Sequence, residues 1–304
     1  MADLSVNIAG VRFKNPVVTA SGTFGFGREF SQVYDLSKLG GIACKGITLK
    51  PRDGNPPPRI AETPSGILNS VGLQNPGVDW FVKHEVPWLK KYDTVIIANV
   101  AGNEIADYCE VVERLNESQV DMIELNISCP NVKQGGVAFG TSAKAAGEIT
   151  KAVRNVCKKP LAVKLSPNVA NIGDIAAAVE SEGADAVSLI NTITGMRIDI
   201  NTRRPILTNN TGGLSGPAVF PIAVRMVYEV SRRVTIPVIG MGGIATWQDA
   251  VEIMLAGACL VQVGTANFTD PYAPLKIIEG IEQYLDQNVI SSVTEIVGKV
   301  QIYE

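Results

Sequence analysis

Eight short apolar runs recur along this chain, at residues 16–20, 41–45, 94–99, 122–127, 161–165, 186–190, 236–240 and 259–263, with longer helical patterns between them. A run of this kind is how a fully buried strand reads, and parallel strands need a crossover of about a dozen residues or more, usually a helix. Eight strands with helical crossovers predict an α/β chain folded as a (β/α)8 TIM barrel; a doubly wound sheet is the lesser option. Such a barrel takes about 250 residues plus insertions, so the 304 residues here are expected to form one domain, 1–304, with loop insertions at the C-terminal face. The crossovers carry helix signals. Within 141–158, Ala145, Ile149, Ala152, Val153 and Val156 share one face. Thr246 with Asp249 reads as a capping box, and Asn171 with Asp174 opens another helix similarly. Gly183 and Gly257 each fall between a helical pattern and the next apolar run, where a glycine cap belongs. Residues 4–13, centred on Asn7-Ile-Ala-Gly10, predict a small hairpin ahead of the first barrel strand.

Composition narrows the function classes. With 46% hydrophobic and 19% charged residues, the chain has material for a large core. Net charge is −3 and no basic run exceeds two residues, so charge supports neither nucleic-acid nor membrane-surface binding. The opening Met1-Ala-Asp-Leu-Ser5 lacks the basic-then-apolar pattern of a signal peptide, and no stretch approaches the roughly 18 apolar residues of a membrane span. Five cysteines, odd in number, widely spaced and without a Cys-x-x-Cys pair, read as reduced thiols in the cytoplasm rather than a disulfide framework or zinc site. A single histidine, His84, argues against a histidine-rich metal centre and a Ser-His-Asp hydrolase; it is expected on a helix surface, and no metal site is expected.

Barrel active sites lie at the C-terminal strand ends. Here those ends carry Ser21, Lys45, Asn99, Asn126 with Cys129, Lys164, Asn191 with Thr192, Gly242-Gly243 and Gly264-Thr265. A lone strand-end asparagine is ordinarily a turn former. Three asparagines and two lysines at equivalent positions instead describe a polar, hydrogen-bonding cup, because burying such groups without partners costs about 1–3 kcal/mol each. The glycines after strands seven and eight let backbone N–H groups approach a phosphate, as barrels commonly arrange there; the plainer alternative is that they only shape tight turns. The glycine-rich 22–27 lacks the spacing of a dinucleotide fingerprint. A phosphate anchor beside a polar cup favours FMN, with Lys164 supplying a cation near the flavin N1–C2=O edge. The competing use of such a lysine is Schiff-base chemistry in a lyase or aldolase, and a non-catalytic protein that kept the fold is a third class. Four cysteines sit in apolar runs or helical patterns, but Cys129 precedes Pro130 and heads a glycine-containing stretch over the barrel mouth, where a thiol with lowered pKa can abstract a proton α to a carbonyl.

Several longer motifs then resemble the dihydroorotate dehydrogenases of pyrimidine biosynthesis: Asn126-Ile-Ser-Cys-Pro-Asn131, Asn69-Ser-Val-Gly-Leu-Gln-Asn-Pro-Gly77, Lys45-Gly-Ile-Thr-Leu-Lys-Pro-Arg52, Gly54-Asn-Pro-Pro-Pro-Arg59, Asn191-Thr-Ile-Thr-Gly-Met196 and Gly212-Gly-Leu-Ser-Gly-Pro217. The likeness runs nearly end to end and is to the soluble catalytic subunit of the two-subunit, NAD-linked type. It implies oxidation of (S)-dihydroorotate to orotate, with Cys129 removing the C5 proton while a hydride passes from C6 to flavin N5. It implies that Lys45, Asn69, Ser70, Val71, Gly72, Leu73, Asn126, Asn191 and Thr192 hold the substrate. It further implies that Ser21, Lys45, Gly46, Asn99, Asn126, Lys164, Ile190, Gly216, Gly242, Gly243, Gly264 and Thr265 hold FMN. A homodimer joined to an electron-transfer subunit bearing FAD and a [2Fe–2S] cluster, together a heterotetramer, is implied as well. Nearer alternatives are a related FMN barrel acting on another dihydropyrimidine and a dihydroorotate dehydrogenase using another soluble acceptor such as fumarate. The purified protein should be yellow, with flavin absorbance bands; a colourless preparation that cannot be reconstituted with FMN would defeat this reading.

Overall fold

The computed structural model describes residues 2–128 and 139–303. All eight apolar runs are barrel strands: β1 (Val17–Thr19), β2 (Gly41–Ala43), β3 (Val95–Val100), β4 (Met122–Asn126), β5 (Leu161–Lys164), β6 (Ala186–Leu189), β7 (Val238–Met241) and β8 (Ala258–Val263). They pair in parallel in chain order, and β8 closes onto β1 through Val261↔Val17. Their side chains are almost entirely buried because the interior faces other strands and the exterior faces helices, which is why the sequence shows runs rather than alternation.

Helices α1 (Ile105–Asn116), α2 (Ala143–Val156), α3 (Ile172–Ser181), α4 (Phe220–Ser231), α5 (Trp247–Leu255) and α6 (Ala273–Gln287) follow β3 to β8 in turn. A helical stretch in three pieces, Val78–Trp80, Phe81–Glu85 and Val86–Leu89, follows β2. Between β1 and β2 only the 3-10 turns Phe30–Gln32 and Leu36–Lys38 occur, so the first crossover is shortened. The sequence signals hold. Thr246 and Asp249 form a reciprocal capping box at α5, and Asn171 accepts from the Asp174 N–H at the start of α3. Gly183 and Gly257 take φ of 93° and 128°, which only glycine adopts freely. Val6–Ile8 and Val11–Phe13 form the expected antiparallel hairpin, which buries Phe13 against Gly41 at the start of β2. His84 lies in the helical stretch before β3, half-buried, its ring 4.0 Å from that of Trp80.

The insertions are more ordered than loops. Ile193–Gly195, Gly212–Ser215, Gly66–Asn69 and Ile60–Thr63 pair, in that order, into a four-stranded antiparallel sheet over the C-terminal mouth. No helix among the described residues is long and apolar enough to cross a membrane.

Helix α6 approaches α5 through Gly280, where an added Cβ would lie 2.2 Å from Trp247 Cγ. Gly280→Ala should therefore destabilise the protein, although alanine gains about 1 kcal/mol of helix propensity over glycine. Overpacking costs about 1–3 kcal/mol and outweighs that gain. A denaturant midpoint at or above that of the wild type would refute the close-packing account.

Candidate active site

A cavity of about 490 Å³ opens at the C-terminal mouth of the barrel, within the size range of small-molecule sites. The strand ends supply its inner wall: Ser21 after β1, Lys45 and Gly46 after β2, Asn126 and Lys164 as the last residues of β4 and β5. Ile190, Asn191 and Thr192 follow β6. The mouth sheet and the segment after it supply the outer wall, with Asn69, Ser70, Val71, Gly72 and Leu73 on one side. Gly213 lies so close to Thr192 that an added Cβ would fall 1.9 Å from Thr192 Oγ1, so the sheet is seated directly on the β6 loop.

Two expected positions differ. Strand β3 runs to Val100, so Asn99 is its penultimate residue rather than its last. Asn99 is fully buried beneath the cavity wall, where its Oδ1 accepts from Asn126 Nδ2 at 3.3 Å. Gly216 likewise stands behind the wall: its carbonyl oxygen would be 2.8 Å from a Cβ on Gly243. Gly242 and Gly243, with φ of 123° and 79°, do line the cavity, as do Gly264 and Thr265 after β8.

Below the cavity lies a feature absent from the strand-end reading. Glu124, wholly buried in the middle of β4, accepts from Asn99 Nδ2 at 2.6 Å, Ser188 Oγ at 2.8 Å and Gln262 Nε2 at 2.8 Å. Glu124, Ser188 and Gln262 come from β4, β6 and β8, the alternate strands that contribute to one interior layer of a barrel. Such layers are ordinarily filled by branched apolar side chains, so a polar layer here asks for a reason. One signal was visible in the sequence: Glu124 and Gln262 each sit inside an otherwise apolar run, where an unpaired charge or amide is costly.

Polar atoms are left over at this site. Among the described residues, Ser70 Oγ and Gln262 Oε1 are buried without a hydrogen-bond partner, and both residues line the cavity. Lys164 is 5% exposed and makes no hydrogen bond or ion pair among the described residues. Buried polar groups are nearly always paired, so these groups fit a ligand that brings acceptors for the lysine and the hydroxyl.

The family model for dihydroorotate dehydrogenase matches residues 3–285. The chain belongs to the dihydroorotate dehydrogenase family. Among similar proteins, the catalytic subunit of dihydroorotate dehydrogenase B (NAD(+)) of Alkaliphilus oremlandii is 58% identical over 298 residues, 98% of this chain and 99% of that one. The subunits of the same name from Bacteroides thetaiotaomicron and Petrotoga mobilis are each 58% identical, over 303 and 298 residues. The Bacteroides match covers 99% of this chain and all of its counterpart, and the Petrotoga match 98% and 99%.

Cys129, the thiol singled out by the family resemblance, lies outside the described residues. The other four thiols stand apart from the cavity lining. Burial pushes the Cys44 thiol far up, and the nearby Glu85 carboxylate adds to it. Burial likewise raises Cys157. A raised pKa lowers the thiolate fraction at any given pH, and the thiolate is the nucleophile. Native protein treated with iodoacetamide at pH 8 should therefore keep Cys44 and Cys157 unmodified by mass spectrometry, while unfolded protein loses that protection. Rapid native labelling of either would contradict the packing described.

Proposed function

We propose that this chain is the catalytic subunit of an NAD-linked dihydroorotate dehydrogenase, oxidising (S)-dihydroorotate to orotate in pyrimidine biosynthesis. The observation that carries this reading is the lone buried Lys164 in a cavity ringed by amides and glycine loops, on a chain 58% identical to such subunits over nearly its whole length. The 1–304 chain would act as a single FMN-binding domain in the cytoplasm, as a homodimer joined to a partner subunit that carries FAD and a [2Fe–2S] cluster and passes electrons to NAD.

The residues present fit FMN. Gly242, Gly243, Gly264 and Thr265 would hold the phosphate through close backbone approach, and Lys164 would meet the N1–C2=O edge. Ser21, Lys45, Gly46 and Ile190 would hold the rest of the cofactor, with Asn126 against the ring, Asn99 behind Asn126 and Gly216 behind Gly243. The chemistry supplied by bound FMN is hydride acceptance from C6 of the substrate. Lys45, Asn69, Ser70, Val71, Gly72, Leu73, Asn126, Asn191 and Thr192 would hold the substrate, its carboxylate and carbonyl oxygens taking the cations and N–H donors. Ser70 Oγ, which has no partner among the described residues, supports that assignment. Cys129 then takes the C5 proton as the thiolate and becomes the thiol, so that loss of the C5 proton and the C6 hydride leaves the C5–C6 double bond of orotate.

Cys129→Ala should lower dihydroorotate turnover by about a hundredfold or more, the usual contribution of a positioned base, while the bound flavin stays. Loss of the flavin instead would make Cys129 structural. Cys129→Ser should recover activity only at raised pH, because a hydroxyl is the weaker acid and supplies little of its basic form near neutrality. Full activity at pH 7 would count against proton abstraction by this residue.

A further inference from the structure

The hydrogen bonds that leave Glu124 run in one direction. Asn99 Nδ2 donates to Glu124, and Asn126 Nδ2 donates to Asn99 Oδ1. Ser128 Oγ donates to Asn126 Oδ1 at 2.7 Å, and the Ser128 N–H donates to the same oxygen at 3.3 Å. Asn191 Nδ2 donates to Ser128 Oγ at 2.6 Å, and the Thr192 N–H donates to Asn191 Oδ1 at 2.8 Å. At every link the donor lies farther from Glu124 than the acceptor.

That direction starts at Glu124, and the Ser128 and Thr192 backbone N–H groups, which can only donate, agree with it farther out. A carboxylate accepts hydrogen bonds and does not donate them, so Asn99 must turn its amide nitrogen toward Glu124. Its oxygen is then left for Asn126, whose oxygen is in turn left for Ser128, and so on outward to Asn191. Both Asn126 and Asn191 line the cavity, and each has spent one N–H on the chain. The second N–H of each carries no hydrogen bond among the described residues, while each amide oxygen is already engaged. The amide wall therefore offers the ligand donors rather than acceptors.

We propose that Glu124 is a positioning residue that sets the polarity of this wall, orienting the Asn126 and Asn191 amides to donate to the oxygens of the bound pyrimidine. The proposal rests on the reading of the cavity as an orotate site. Glu124 touches no ligand; it acts through Asn99, Asn126 and Ser128.

The test is titration of the oxidised holoprotein with orotate, followed by the flavin absorbance change, with FMN stoichiometry measured alongside. Glu124→Met fills the space but offers no acceptor, so Asn99 is no longer held in one orientation. Orotate should bind about tenfold to a hundredfold more weakly, the scale of losing a hydrogen bond to a charged group, with FMN still present at one per chain. Glu124→Gln should restore binding to near the wild type: its amide oxygen can still accept from Asn99, and its NH2 can turn toward Gln262, whose Oε1 has no partner. A merely space-filling role would predict the same affinity for both variants. Ser128→Ala cuts the chain outside the barrel interior and should weaken orotate binding as well. If both act through one relay, the loss in the Glu124→Met/Ser128→Ala double variant should be close to the larger single loss rather than their sum. Where Glu124→Met does not fold, Ser128→Ala and Glu124→Gln carry the test, the first weakening binding and the second sparing it. Unchanged affinity in Glu124→Met or Ser128→Ala, full additivity, or a Glu124→Gln as weak as Glu124→Met would overturn the proposal. A wild-type holoprotein that fails to bind orotate at all would instead overturn the functional reading beneath it.

Discussion

A buried carboxylate organises the inside of this barrel. Glu124 joins β4 to β3, β6 and β8 through Asn99, Ser188 and Gln262, in a layer where most barrels place branched hydrocarbon. Removing a carboxylate from water costs several kcal/mol even after relaxation, and three hydrogen bonds to a charged group return about 1.5–3 kcal/mol each. The two are of similar size, so the network is close to neutral for stability as long as it is complete. An apolar layer would hold the strands together equally well. What the carboxylate adds is direction, since it admits only one orientation of the amide above it.

The mouth of the barrel depends on a different kind of contact. Gly213 meets Thr192, Gly66 meets Ser215, and Gly46 sits where a Cβ would lie 3.0 Å from Asn99 Oδ1. Each missing side chain lets neighbouring groups come close: Gly66 and Ser215 within the mouth sheet, Gly213 and Thr192 between that sheet and the β6 loop, and Gly46 and Asn99 at adjoining strand ends. The cavity is thus enclosed by the barrel on one side and by the insertions on the other.

Much of the fold was legible because its signals are local. A buried parallel strand announces itself by an apolar run, and Thr246 with Asp249 announces a helix start by spacing alone. Lys45, Lys164, Asn126 and Asn191 could be singled out because they are poor strand residues that follow or end such runs. The mouth sheet was not legible. Gly66–Asn69 and Gly212–Ser215 are four residues each and too short to show alternation, and their pairing with each other spans more than a hundred residues. Asn99 was read as the last residue of its run, and the strand extends one residue further, to Val100.

The amino-acid sequence by itself determined the number of strands, their order, the helices between most of them and the family to which the chain belongs, because each of these follows from residue patterns within a short window or a motif. Only the tertiary structure decided which polar side chains face the cavity, which ones lie beneath it, and that Glu124, Ser188 and Gln262 meet at all. Those outcomes depend on barrel closure, which brings residues 124, 188 and 262 within hydrogen-bonding distance. The polarity of the amide wall is likewise a tertiary property: an asparagine in a sequence can turn either way, and the partners that the fold assembles around it, Asn99 for Asn126 and Ser128 for Asn191, act together with neighbouring backbone N–H groups to settle which.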